Sequence, residues 1–201
     1  MINTTRLRCT VGFLGMALPW IVALLSVIFG YGFPDSISAT YYIAPCITPF
    51  MIILGASGIL LFNYHGYDKV DDVLNTIAAA CGFGVCLFPC AATTAQYVGT
   101  FNLPTAISDI LHMISAIGFF VILSYNSLFQ FTKGSPEPTE NKKKRNIIFR
   151  VCGIGMLASF LLLPLPIPHI VWIVEMIALT FFGISWITKA DRFRWLFADK
   201  K

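Results

Sequence analysis

The chain has 201 residues, of which 57% are hydrophobic and only 12% are charged. A soluble domain carries about 25% charged residues, so this composition excludes an ordinary water-soluble fold and indicates a protein built largely inside a membrane. The net charge of +4 at pH 7 would suit a nucleic acid or an anionic lipid surface.

Six apolar segments are each long enough to cross a bilayer as a helix, which takes about 20 residues. They predict an all-α fold in which residues 1–201 form a single integral membrane domain, a six-transmembrane-helix bundle. The predicted spans cover residues 11–31, 45–64, 73–95, 106–131, 147–165 and 167–188.

The first span follows two arginines, and its apolar core is too long for a cleaved signal peptide, so we expect it to be retained as an anchor. The third span is rich in alanine and glycine, which let helices approach closely in lipid. We therefore expect it at the centre of the bundle. The acidic turn before it offers Asp71 or Asp72 as the N-terminal cap of this helix.

The fourth span carries the strongest chemical signal, because Asp109, His112 and Ser115 recur at every third residue along one side of a helix. Ionisable residues inside a span are costly and are candidates for function. The sixth span carries Glu175, and both spans are predicted to run from the outside inward. His112 then lies roughly 9 Å, and Glu175 roughly 12 Å, below the start of its helix. We expect these four side chains to form a polar pocket facing outward.

The segment 132–146 contains two prolines and a run of four basic residues and is predicted to be a loop. The tail after residue 188 places Phe193, Leu196 and Phe197 at i, i+3 and i+4. This spacing predicts a short amphipathic C-terminal helix that lies on the membrane surface.

All fourteen Lys and Arg residues lie on one face of the predicted bundle or within a turn of it. The positive-inside rule makes this face cytoplasmic, together with both termini. The basic run in the 132–146 loop is interpreted as a topology signal that also contacts anionic lipid. A nucleic-acid role would need stacking aromatic residues among the basic ones, and this loop has none, so membrane lipids are the expected partners.

Three functional interpretations remain open. The leading one is a lipid-interacting or regulatory membrane protein that uses the outward pocket. The second is a membrane-embedded lipid hydrolase, in which Asp109 or Glu175 orients His112 as general base and Ser115 is the nucleophile. The third is a small-solute transporter with three spans on each side of the middle loop, which should show a broken helix near the bilayer midplane.

Simple packing is the structural alternative for these polar residues, since most hydrogen bonds between spans contribute only about 0.6 kcal/mol. The three histidines are predicted on opposite sides of the membrane, so neither a metal nor another cofactor is expected. Cys46 and Cys90 fall toward the same outer side, and whether they pair depends on geometry that spacing does not define.

Three segments taken together resemble a known family: NYHGYDKVDD followed by a span rich in glycine and alanine, LHMISAIGFF, and FGISWITKA at the end of the last span. The family is an uncharacterised group of small bacterial integral membrane proteins, known only as a domain of unknown function and distantly similar to Frag/DRAM/Sfk-type proteins. The resemblance covers most of the chain. It implies six spans, a multi-pass location in the bacterial plasma membrane and no assigned activity. The distant similarity implies a link to lipid distribution or membrane stress.

Overall fold

The computed structural model describes residues 4–66, 68–134 and 139–190, and this part of the chain contains six helices long and apolar enough to cross a membrane. The predicted all-α, six-helix fold of a multi-pass membrane protein is confirmed. The helices are α1 Thr4–Ile28, α2 Ala44–Phe62, α3 Lys69–Leu87, α4 Thr105–Tyr125, α5 Glu140–Ala158 and α6 Ile170–Lys189. A π-helical turn, Asn126–Gln130, continues α4, and a 3₁₀ turn, Ser159–Leu162, continues α5. The predicted amphipathic tail lies outside the described residues.

The six helices form a closed ring, because each packs against its neighbours in sequence and α6 returns to pack against α1. Successive helices are antiparallel, so the ring has a basic end, where α1, α3 and α5 begin, and a loop end formed by residues 29–43, 88–104 and 163–169. The loop end contains a two-stranded hairpin of β1, Tyr97–Val98, and β2, Leu103–Pro104.

The sequence predicted that the small residues of α3 would place this helix at the centre of the bundle, and this prediction is wrong. The small residues instead let α2 and α4 approach it from both sides. A Cβ added at Gly82 would lie 3.4 Å from the Phe119 ring of α4 and 4.0 Å from the Gly58 Cα of α2. Helix α3 is therefore one member of the ring, with close neighbours on two faces.

The closing contact between α1 and α6 depends on two facing glycines. A Cβ added at Gly183 would lie 2.6 Å from the carbonyl oxygen of Gly12 and would overlap the side chain of Met16. A Cβ at Gly12 would lie 2.8 Å from the carbonyl oxygen of Gly183. Because any side chain would push the backbones apart, this approach requires glycine on both helices.

When the turns that continue α4 and α5 are counted, three helix ends lie seven or more residues from the predicted ones. Helix α1 begins at Thr4 rather than at residue 11, and the other two differences have local reasons. Helix α3 ends at Leu87 rather than at residue 95, because Pro89 disfavours the helical conformation at the residue before it, and Phe88 is extended with φ −113° and ψ 94°. Helix α5 begins at Glu140 rather than at residue 147, because the Thr139 side chain caps it. The basic run predicted as loop therefore lies within the first turns of a helix.

The cap of α3 also differs from the prediction. The side chain of Asp68 accepts a hydrogen bond from the backbone nitrogen of Asp71 at 3.0 Å. Asp71 and Asp72 instead occupy the first turn, where a carboxylate is favoured by the helix dipole. The cap lies earlier because the helix starts at Lys69, before the apolar run begins.

Hydrogen bonds join α3, α4, α5 and α6 near the basic end. Asn126 donates to Asn75 Oδ1 at 3.1 Å, and the Ser127 hydroxyl contacts Phe149 O and Ser185 Oγ, each at 2.7 Å. These contacts fasten α4 to its neighbours at this end. Toward the loop end, α4 separates from the end of α5 and the start of α6 around the cavity described next.

Candidate functional site

The loop 29–43 folds back over the loop end and brings its own side chains between α4 and α6. Gly30 and Gly32 adopt φ values of +82° and +80°, a left-handed conformation that glycine reaches without steric cost. The backbone N–H of Trp172 on α6 donates to the carbonyl of Asp35 at 3.0 Å. These features fix the position of the short 3₁₀ helix Ser38–Tyr42 that follows.

Glu175 of α6 receives this loop. Its Oε2 accepts from the backbone N–H of Ile37 at 2.6 Å, and its Oε1 accepts from the hydroxyl of Ser38 at 3.2 Å. Hydrogen bonds to a carboxylate are stronger than those between neutral groups. Glu175 therefore attaches the loop to α6 and holds the Ser38 hydroxyl in place.

His112 of α4 reaches the same hydroxyl from the other side. Its side chain is only 3% exposed, with Nδ1 2.7 Å from the carbonyl oxygen of Phe88 and Nε2 3.1 Å from Ser38 Oγ. A carbonyl can only accept, so Nδ1 carries the proton and Nε2 is the acceptor in the neutral ring. The early end of α3 makes this possible, because it leaves the Phe88 carbonyl without a helical partner.

Ser38, His112 and Glu175 thus form a connected group, which we call the Ser38 cluster. The Ser38 hydroxyl has one hydrogen, so it can donate to Glu175 or to His112 but not to both at once. Both contacts are satisfied when the cluster holds one further proton, either on His112 Nε2 or on the Glu175 carboxylate. The arrangement is therefore suited to moving a proton across the serine hydroxyl.

The Ser38 cluster lies at the base of a cavity of about 500 Å³ between α4, the end of α5 and the start of α6. Its walls are mostly apolar, and several wall side chains are also exposed on the lateral surface of the helices, namely Met113, Ile117, Val121, Leu157, Leu163 and Val171. The cavity therefore opens sideways, toward the position of the lipid acyl chains around a membrane-spanning bundle.

A second, smaller cavity of about 50 Å³ lies within the ring on the other side of the cluster. Ser38 and Glu175 line it together with apolar side chains such as Phe50 and Phe119. A volume of about 10–15 Å³ is enough for one water molecule when polar partners are present. The cluster thus lies between the large apolar cavity and a smaller one.

Of the four predicted pocket residues, His112 and Glu175 meet through Ser38, whereas Asp109 and Ser115 lie outside the cavity. Asp109 Oδ1 accepts from the backbone N–H of Ala91 at 2.7 Å and so orders the loop after α3. Ser115 donates to Leu111 O at 2.7 Å within its own helix. Residues three positions apart are offset by roughly 60° around a helix. Ser115 is six positions after Asp109, so it lies roughly 120° around the helix from it.

Sequence reasoning missed Ser38 and the Phe88 carbonyl. Ser38 stands in a turn-like loop with no periodicity, and a loop serine is usually a local hydrogen-bonding residue. A backbone carbonyl has no sequence signature at all. The one available signal was Pro89, which ends the helix and so leaves a carbonyl free to orient His112.

Tyr42 and Cys90 extend the polar contacts at the loop end. The Tyr42 hydroxyl donates to the Cys90 carbonyl at 2.6 Å, and burial raises the pKa of Tyr42 to about 12. Burial also raises the pKa of the Cys90 thiol, which lines the large cavity, to about 11.

Cys46 and Cys90 are both free, and the Cys46 thiol donates to Val22 O at 3.3 Å. The disulfide that the sequence left open is therefore not formed.

Among residues 4–66, 68–134 and 139–190, no three His, Cys, Asp or Glu side chains are grouped so that they could hold a metal ion. The Ser38 cluster places a serine hydroxyl, an imidazole and a carboxyl group beside an apolar cavity. The chain matches no protein-family model, no curated protein and no solved structure.

Proposed function

We propose that the protein binds a membrane lipid, with an acyl chain in the cavity between α4 and α5 and the polar part of the lipid at the Ser38 cluster. The cavity carries this proposal. Its volume of about 500 Å³ falls within the range of about 300–1,000 Å³ that is usual for ligand sites. It combines apolar walls, a lateral opening and polar groups at one end, and an amphipathic lipid has the matching shape and polarity.

The charge distribution supports an outward-facing site, and the resemblance to a family of bacterial membrane proteins supports the plasma membrane as its location. Every Lys and Arg among the residues that the structure describes lies at or near the basic end, and the segments 29–43, 88–104 and 163–169 contain none. By the positive-inside rule the basic end and both termini are cytoplasmic. The Ser38 cluster then faces the outer leaflet, at the depth where lipid head groups give way to acyl chains.

Binding is favoured over solute transport by the form of the helices. A transporter of the inverted-repeat kind places its site at a broken helix near the midplane. In the described part of the chain, each spanning helix continues through its middle, including α1 at Pro19 and α2 at Pro49. The one π-helical turn described, Asn126–Gln130, lies at the basic end of the bundle, away from the cavity.

A matched pair of α4 variants tests the proposal. Ile117 lines the cavity, whereas Ile114 is 64% exposed on the neighbouring face of the same helix and does not line it. Ile117→Trp fills the cavity, so we expect lipid that co-purifies with the protein, detected by native mass spectrometry, to be lost. Ile114→Trp should retain that lipid. Equal retention by both variants would show that the cavity is not the lipid site.

A further inference from the structure

We propose that Ser38 is a nucleophile, activated by His112, that attacks the ester carbonyl of an acyl lipid in the cavity. The site would then remove or transfer an acyl chain. This inference rests on the proposed function, because the bound lipid supplies the substrate. It assigns the chemistry to a loop serine and leaves Asp109 and Ser115 outside the reaction.

The first argument is the contact between the hydroxyl and the imidazole. A serine hydroxyl is a weak nucleophile at neutral pH and needs an adjacent base within about 2.6–3.2 Å. Ser38 Oγ lies 3.1 Å from His112 Nε2. The nitrogen that faces the serine is the one that lacks a proton in the neutral ring, so it is able to accept the hydroxyl hydrogen.

The second argument is the group that orients the base. In serine hydrolases the base is held in the correct tautomer by a third group that accepts from its other nitrogen. Here the Phe88 carbonyl accepts from His112 Nδ1 at 2.7 Å. The carbonyl fixes the tautomer and the ring orientation through the backbone.

The third argument concerns charge at the cluster. Proton transfer to His112 creates an imidazolium in an apolar site, where an opposite charge is most effective. Glu175 lies across Ser38 and is fixed by the backbone N–H of Ile37 at 2.6 Å. Glu175 is thus a positioning residue that holds Ser38, and in its ionised form it places a negative charge across Ser38 from the imidazolium.

A donor for the developing oxyanion is available beside Ser38. Ser36 lines the same cavity, and its oxygen accepts from the backbone N–H of Ala39 at 2.9 Å. This contact uses an oxygen lone pair and leaves the hydroxyl hydrogen of Ser36 able to donate. A donor directed at the carbonyl oxygen stabilises the tetrahedral intermediate.

The proposed reaction needs only the lipid ester and either water or an acceptor alcohol. Ser38 Oγ forms a bond to the ester carbonyl carbon, and its proton moves to His112 Nε2. The bond from that carbon to the leaving alkoxide then breaks, and His112 gives the proton to the alkoxide. The products are an alcohol and acyl-Ser38, from which water or a second alcohol removes the acyl chain by the same steps in reverse. The small cavity beside Ser38 and Glu175 is large enough for that water.

The test uses full-length protein in detergent and two alkyl fluorophosphonates, one with a hexadecyl chain and one with an ethyl chain. Wild-type protein should be modified at Ser38, as identified by peptide mass spectrometry, and Ser38→Ala should not be modified. His112→Asn keeps an N–H able to donate to Phe88 O but has no base facing Ser38. It should slow modification at least about 100-fold, since general base catalysis contributes about 10²–10⁴. Ser115→Ala is the control and should be modified at the wild-type rate.

Thermal unfolding of each variant establishes that it is folded before its rate is compared. Modification at another serine, or a His112→Asn rate equal to that of the wild type, would overturn the assignment of Ser38 as the nucleophile.

The experiments distinguish failure of the nucleophile proposal from failure of the lipid-binding proposal. If wild-type protein retains lipid but Ser38 is not modified, lipid binding stands and the nucleophile is wrong. If Ser38 is modified but Ile117→Trp slows the hexadecyl and ethyl probes equally, the cavity does not hold an acyl chain.

Discussion

His112 on α4 and Glu175 on α6 are bridged by a single hydroxyl, that of Ser38, at 3.1 and 3.2 Å. The serine belongs to neither helix. It comes from the loop between α1 and α2, so the contact joins three segments that are far apart in the sequence. The geometry of the cluster therefore depends on how the loop 29–43 is attached to the ring.

Glu175 should contribute most to that attachment. In Glu175→Ala the backbone N–H of Ile37, a residue only 3% exposed, loses its acceptor, and an unsatisfied buried donor costs about 1–3 kcal/mol. Glu175→Gln keeps an oxygen that can accept and should cost less. We expect the midpoint of thermal unfolding in detergent to fall further for the alanine variant than for the glutamine variant. Equal losses would mean that the negative charge, rather than the acceptor, holds the loop.

The closing seam of the ring should be sensitive to added volume. Gly183→Ala places a methyl group against Met16 and 2.6 Å from Gly12 O, and overpacking of this kind costs about 1–3 kcal/mol. Gly55→Ala on α2 is the control, because a Cβ there meets no atom within 4 Å, and alanine is the better helix former by about 1 kcal/mol. Thermal unfolding should show a loss for Gly183→Ala and no loss for Gly55→Ala. Similar losses in both would disprove the close α1–α6 contact.

The helices could be predicted from the sequence because the length of an apolar run is a direct consequence of bilayer thickness. Their ring order could not, since hydropathy does not say which helices are neighbours. The predicted ends of α3 and α5 were wrong because a single residue sets each of them. Pro89 shortened α3, and Thr139 started α5 earlier than the apolar pattern suggested.

The candidate site was predictable in part for similar reasons. His112 and Glu175 were visible because ionisable residues are rare inside spans. Ser38 was not, because its role comes from a loop conformation set by Gly30, Gly32 and contacts with α6. The pairing of His112 with a backbone carbonyl depends on where α3 ends, and the apolar run placed that end eight residues too late.

Acid should weaken a contact at the basic end. Lys133 Nζ lies 2.7 Å from Asp68 Oδ2, and this hydrogen bond lowers the pKa of Asp68 below its ordinary value. A lowered carboxyl pKa stabilises the fold above the unfolded pKa of about 3.9. That stabilisation is lost as the pH falls through the folded pKa. The unfolding midpoint of the wild type should therefore decrease as the pH falls below about 4.

Asp68→Asn separates this effect from the helix cap. Asparagine still accepts from Asp71 N as an N-cap, but it has no charge to pair with Lys133. We expect the variant to show a weaker dependence of the unfolding midpoint on acidic pH. The difference from the wild type should shrink in high salt, because exposed ion pairs are screened. Parallel pH curves for the two proteins would contradict a role for this pair.

The orientation in the membrane can be tested with two single cysteine substitutions at exposed positions on opposite ends of the ring. Thr100 is exposed in the loop 88–104, and the side chain of His65 is 83% exposed at the basic end. If the basic end is cytoplasmic, a membrane-impermeant maleimide added to intact cells should label Thr100→Cys. It should label His65→Cys only after the membrane is permeabilised. Labelling above the wild-type background is the measure, because the chain has six cysteines of its own. The reverse pattern would place the Ser38 cluster in the cytoplasmic leaflet and would change the lipids that reach the cavity.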